Sequence, residues 1–161
     1  MRGWLLDTNV IASLAATNGA PTVKAWAATL DERLLFLSVL TLAEYDKGVH
    51  QLADDDPRRL RYAANRDAIE ARFRGRVIPL GDAIVRRWGA LAGRIKRDTG
   101  QAPSVVDTLL AATAIEAQLY LVTRNTKDVR HTGASVFNPW EDDPADFPME
   151  SPQGRPPTVH G

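Results

Sequence analysis

Four short apolar runs, at 3–6, 34–37, 77–80 and 119–122, constrain this chain more than any other feature. Each is apolar at successive positions rather than at alternate ones, which is the pattern of a strand covered on both faces. The stretches between them carry helical spacing. The first helix is expected over 8–16, and the second begins at Pro21 with Val23, Trp26, Ala27 and Leu30 one face apart. Ser38 caps a third helix running to about residue 52, and the Asp54-Asp55-Asp56-Pro57 turn puts Pro57 at the expected start of an arginine-rich helix ending near residue 73. Asp82 is expected to cap a long amphipathic helix stopped by Gly100, and Ser104 to cap a last one to about residue 118. With an edge strand at 136–138, the order is βαα, βαα, βαα, β, β. Strands joined through helical crossovers run parallel, with helices on both faces. The fold class is therefore α/β: a three-layer α/β/α sandwich around a mostly parallel sheet of four or five strands, with ligands expected at the strands' carboxyl ends.

A length of 161 residues with 44% apolar composition suits one domain with its own core. Composition changes after residue 138, where six of the ten prolines and a group of acids fall. Residues 1–140 are read as the domain and 141–161 as a flexible, proline-rich acidic tail, with Trp140 and Phe147 as the residues able to pack back. The absence of cysteine excludes disulfides, thiolate zinc sites and cysteine nucleophiles, and suits a reducing cytoplasm. No apolar run approaches the roughly 18 residues of a membrane span, and the N-terminus has no signal-like apolar region, so a soluble cytoplasmic protein is expected. Twenty basic and twenty acidic residues cancel. Locally they do not: from Pro57 to Arg76 seven arginines face only Asp67 and Glu70. That run reads either as a solvated helix face or as a phosphate-binding rim.

Four acids stand among apolar neighbours: Asp7, Glu44, Asp107 and Asp128. Taken singly, each has a structural reading. Asp7 can cap the first helix, Ser104-Val105-Val106-Asp107 matches a capping box, and Asn125 to Asp128 can cap likewise. Glu44 lies mid-helix, where no cap explains it and a solvated outer position is the structural reading. Taken together they suggest more, because Asp7 and the 123–128 segment both follow strand ends that share one edge of a parallel sheet. Carboxylates gathered there repel, and oxygen ligation of Mg²⁺ or Mn²⁺ keeps them ionised. Such a group is suited to hydrolysing a phosphodiester with metal-activated water. His50, His131 and His160 have no zinc spacing, and no phosphate-cradling glycine loop or serine-nucleophile elbow occurs. Two rivals are an aspartyl-type phosphatase, which needs a second acid where Asn9 stands, and a protein-binding module whose acids are only caps.

The strings Leu5-Leu6-Asp7-Thr8-Asn9-Val10, Ser38-Val39-Leu40-Thr41-Leu42-Ala43-Glu44, Pro103 to Asp107, Leu121-Val122-Thr123-Arg124-Asn125 with Asp128, and Val136-Phe137-Asn138-Pro139-Trp140 follow one another at distinctive spacing. In this order they resemble the PIN-domain nucleases, specifically the VapC toxins of VapBC toxin–antitoxin pairs, including the FitB-like group. The resemblance covers about residues 3–140. It implies a PIN-like sandwich, an Mg²⁺- or Mn²⁺-dependent endoribonuclease, homodimers, and inhibition by a cognate VapB-type antitoxin in a hetero-oligomer. Asp7 and Asp107 correspond to the principal metal ligands, with Glu44 and Asp128 completing a catalytic quartet. Thr8, Asn9, Thr123 and Asn125 correspond to supporting polar groups. Tyr45 and Val129 depart from the family's usual Leu and Phe. Arg124 and Lys127 are candidates for holding RNA phosphates, with Arg58 to Arg76 extending the track. The Trp-bearing second helix and the Leu/Ala-rich third are expected to form the antitoxin groove.

Overall fold

The computed structural model describes residues 1–150. Strands β1 (Trp4–Leu6), β2 (Leu35–Ser38), β3 (Val77–Ile78), β4 (Tyr120–Val122) and β5 (Val136–Phe137) form one sheet in the order β3-β2-β1-β4-β5, with every neighbouring pair parallel. The helices among the described residues are α1 (Thr8–Ala15), α2 (Pro21–Ala28), α3 (Val39–His50), α4 (Arg59–Arg72), α5 (Asp82–Thr99), α6 (Val105–Ala117) and the single turn α7 (Thr126–Val129).

The period of two along each strand divides the core into layers. Trp4, Leu6, Leu35, Leu37, Tyr120 and Val122 point to one face, where they meet Val10 and Ile11 of α1, Trp26 of α2 and Ile69 of α4. Leu5 and Leu121 point to the other, against Leu110, Ala111 and Ala114 of α6. Both faces are covered, which is why the strands read as continuous apolar runs. α6 lies between the sheet and α5, whose Ile84 and Leu91 close on its Ala112. A helix packed on two sides must be apolar nearly all round, as its buried run Leu110 to Ala114 is.

Local chemistry sets the helix ends. Ser38 Oγ accepts from the Leu40 amide at 3.1 Å, and Gly100 ends α5 in the left-handed region at φ 78°. Two boundaries differ from expectation. Gly81 is the N-cap of α5, and Asp82 is its first residue, placed where the helix dipole favours an anion. α4 starts at Arg59 rather than at Pro57, because Asp56 first accepts from the Arg58 amide at 2.9 Å and extends the turn.

Trp26 is buried at 5% exposure, edge-on to Trp4 with ring centroids 5.3 Å apart. It is a core residue, so α2 does not present it to a partner as expected. Residues 141–150 lie along the same aromatic layer. Phe147 packs 4.8 Å from Phe137 and 5.4 Å from Tyr120, the Tyr120 hydroxyl donates to Pro148 O at 2.8 Å, and the Glu150 amide donates to Met1 O at 2.9 Å. The rest of the expected tail, 151–161, lies outside the described residues. Among the described residues no helix is long and apolar enough to cross a membrane.

Candidate active site at the carboxyl edge of the sheet

The strand order creates a crevice between β1 and β4. From β1 the chain proceeds outward to β2 and β3, whereas β4 and β5 lie on its other side. The helices that follow these two central strands diverge: α1 packs on one face of the sheet and α7, through Val129, on the other. Side chains at the carboxyl ends of β1 and β4 therefore look into an opening that neither helix fills.

Asp7 is the first residue after β1. Its amide donates to Val122 O at 2.9 Å, and its Oδ1 caps α1 by accepting from the Thr8 amide at 2.7 Å. Oδ2 accepts from the Thr123 hydroxyl at 2.7 Å and from Asn9 Nδ2 at 3.1 Å. Asn9 ties the two strand ends together a second time, since its Nδ2 reaches Thr123 Oγ1 at 3.2 Å and its Oδ1 accepts from the Arg124 amide at 3.2 Å. Thr123 Oγ1 also accepts from the Asn125 amide at 3.0 Å. Burial raises the Asp7 carboxyl above the usual carboxylate range, and the nearby Asp107 charge adds to that, against the lowering pull of the Thr123 and Thr8 hydrogen bonds.

Asp7, Glu44 and Asp107 line one open cleft of about 500 Å³, together with Thr8, Asn9, Asn125 and Lys47. Glu44 reaches it from the middle of α3, where its Oε2 accepts from the Thr8 hydroxyl. Asp107 enters from the first turn of α6, whose Ser104 cap accepts from the Asp107 amide at 3.4 Å. Its capping position thus also aims it at the crevice.

The other expected site residues lie around this cleft rather than in its wall. Thr123 is buried behind Asp7 at 1% exposure. Asp128 and Lys127 are exposed on α7, outside the cleft lining. The Arg124 guanidinium stacks over Trp140 at 5.3 Å from the ring centroid. The arginine-rich track is mostly committed elsewhere: Arg58 pairs with Asp56, Arg59 with Asp54, Arg66 with Asp46 and Asp67, and Arg72 and Arg76 with Glu32. Sequence reasoning missed Lys47 and Gln51 as cleft residues. Their spacing of three and seven from Glu44 on one helix was the available signal.

The donor set suits a hard divalent cation. Every candidate ligand in the lining is oxygen, and no histidine is present. Among the described residues no group of three acidic or histidine side chains is close enough together to hold one metal ion. Beside it an apolar groove begins at the shared residues Thr8, Ala12, Glu44 and Gly48, passes Tyr45 and Tyr62 in a cavity of about 310 Å³, and continues between α1 and α4 past Ala16 and Ile69.

Comparisons of family, sequence and structure agree on one family for this chain. The family model of the PIN domain matches residues 4–134. The chain is 30% identical over 138 residues to "Toxin FitB" of Neisseria gonorrhoeae (strain ATCC 700825 / FA 1090), covering 86% of this chain and 99% of that protein. It is 28% identical over 137 residues to "VapC ribonuclease Y4jK" of Sinorhizobium fredii (strain NBRC 101917 / NGR234), covering 85% and 97%. The crystal structure of FitAcB from Neisseria gonorrhoeae superposes with a TM-score of 0.73 at 28% identity, over 85% of this chain and 98% of that one.

Proposed function

This chain belongs to the PIN-domain family, and on that premise we propose that it is a metal-dependent endoribonuclease, the toxin of a type II toxin–antitoxin pair, which hydrolyses RNA phosphodiester bonds. The observation that carries this reading is the meeting of Asp7, Glu44 and Asp107 in one cleft at the carboxyl ends of β1 and β4.

Asp7 and Asp107 are the groups that would hold Mg²⁺ or Mn²⁺, with Glu44 beside them and Asp128 at the outer rim. Once bound, such an ion lowers the pKa of attached water and offsets charge building on the phosphate. The protein's own groups prepare the rest. Thr123 and Asn9 fix Asp7 Oδ2, and the Thr8 amide fixes Oδ1, so the carboxylate cannot rotate away from the cleft. Glu44 Oε2 is occupied by the Thr8 hydroxyl, which leaves Oε1 to accept a proton from attacking water. Asn9, with both ends of its amide engaged, is a clamp between strand ends rather than a neutral stand-in for a phosphatase acid.

The partner is a VapB-type antitoxin. The groove continuous with the acidic cleft suits an amphipathic segment of that partner, whose basic side chain would reach the carboxylates. Incubation of the purified chain with structured RNA in Mg²⁺, Mn²⁺ or chelator tests the enzymatic reading. Metal-dependent cleavage lost in Asp7→Asn is the expected result, and equal cleavage by both proteins would reject the site.

A further inference from the structure

The wall formed by α3 carries more than Glu44. Lys47 stands one turn on and Gln51 a further turn, and both line the same cleft as the three carboxylates. Among the described residues Lys47 makes no ion pair, although its neighbours are engaged: Asp46 pairs with Arg66, and Glu44 receives the Thr8 hydroxyl. It is exposed and lies in the last turn of α3, where a cation also favours the helix's negative end. That placement explains why a lysine is tolerated there. It does not explain an uncommitted ammonium facing an acidic cleft.

We propose that Lys47 binds substrate directly, holding a non-bridging oxygen of the RNA phosphate next to Asp7, Glu44 and Asp107. The inference rests on the nuclease reading and adds a residue to its site. A cleft lined by carboxylates repels a phosphodiester, and a fixed positive charge on its wall lowers that cost whether or not a cation is bound. An ammonium on a four-carbon stem is a compact charge able to follow the phosphate as its geometry changes. Arg124 is stacked on Trp140, and five of the seven arginines from 58 to 76 are held in ion pairs. Lys47 is therefore a cation positioned to act at the reacting phosphate rather than along the flank.

The test uses the full chain with Lys47→Met and Lys47→Arg, together with each change in an Asp7→Asn background that binds without cutting. With a single-stranded RNA oligonucleotide, Lys47→Met should lower kcat/KM about 10- to 100-fold, with partial recovery in Lys47→Arg and an unchanged melting temperature. In the non-cutting background with chelator present, fluorescence anisotropy should show the slope of log affinity against log salt reduced by about 0.7, the loss of one phosphate contact. If the parent cleaves RNA and Lys47→Met matches it in kcat/KM and in salt slope, Lys47 is only a solvated helix residue and the nuclease reading survives. If the parent does not cleave with either metal, the nuclease reading fails, and the binding arm still decides on the contact: an unaltered slope overturns it.

Discussion

The Thr123 hydroxyl donates to Asp7 Oδ2 across the gap between β4 and β1, at 2.7 Å, from a position only 1% exposed. A residue at the end of one strand thereby fixes the carboxylate at the end of its neighbour. Because the hydroxyl stabilises the charged form, it also opposes the upward pull of burial on the Asp7 carboxyl.

Thr123→Val removes that donor while keeping a similar shape. The Asp7 carboxyl should titrate still higher, so the acid limb of the pH–rate profile should move to higher pH. RNA cleavage should fall about 10- to 100-fold, the usual effect of losing a group that orients a metal ligand. Thr123→Ser should keep most activity. A Val variant with the parent's profile would show that the contact is incidental.

Asp7 gives a pH signature in stability. Its folded pKa lies above its unfolded value, so the folded state binds the proton more tightly. Without metal, stability should decline as pH rises from the unfolded carboxylate range near ~4 through the raised folded pKa, and stay lower beyond it. Asp7→Asn cannot titrate and should gain on the parent across that window, in urea unfolding with chelator. Mg²⁺ at 100 times its Kd should then stabilise the parent by about 2.7 kcal/mol and the variant much less. A constant difference between the two proteins at all pH values would contradict this account.

Position relative to the cleft should rank the acids. Asp107 lines it, whereas Asp128 is exposed on α7 outside the lining. Asp107→Asn should cost about 100-fold or more in kcat/KM, the scale of losing a group that acts on the transition state, and Asp128→Asn about 10-fold or less. Single-turnover cleavage at saturating Mn²⁺ measures both, and a reversed order would refute the assignment.

The segment after β5 should contribute to stability. Phe147→Ala removes ring contacts to Phe137 and Tyr120 and should cost about 2–3 kcal/mol, with Tyr120→Phe costing about 1 kcal/mol through the lost bond to Pro148 O. Urea midpoints at constant m-value test this. Midpoints equal to the parent's would mean that residues 141–150 do not hold to the domain in solution.

The alternation of strands and helices, the parallel sheet, and the helix starts at Ser38 and Ser104 were legible in the chain, because they follow from local periodicity and from side chains that bond their own backbone. The sequence also singled out Asp7, Glu44, Asp107 and Asp128 on equal terms, since acids beside apolar runs need a reason. Packing in three dimensions put Asp128 outside the cleft lining, held most of the arginines from 58 to 76 in ion pairs, buried Trp26 in the core and set Lys47 on the same wall as Glu44. Those outcomes depend on which residues from distant parts of the chain become neighbours. Such neighbours are set by the handedness of the crossovers and by the packing of whole layers, which no short stretch of sequence encodes.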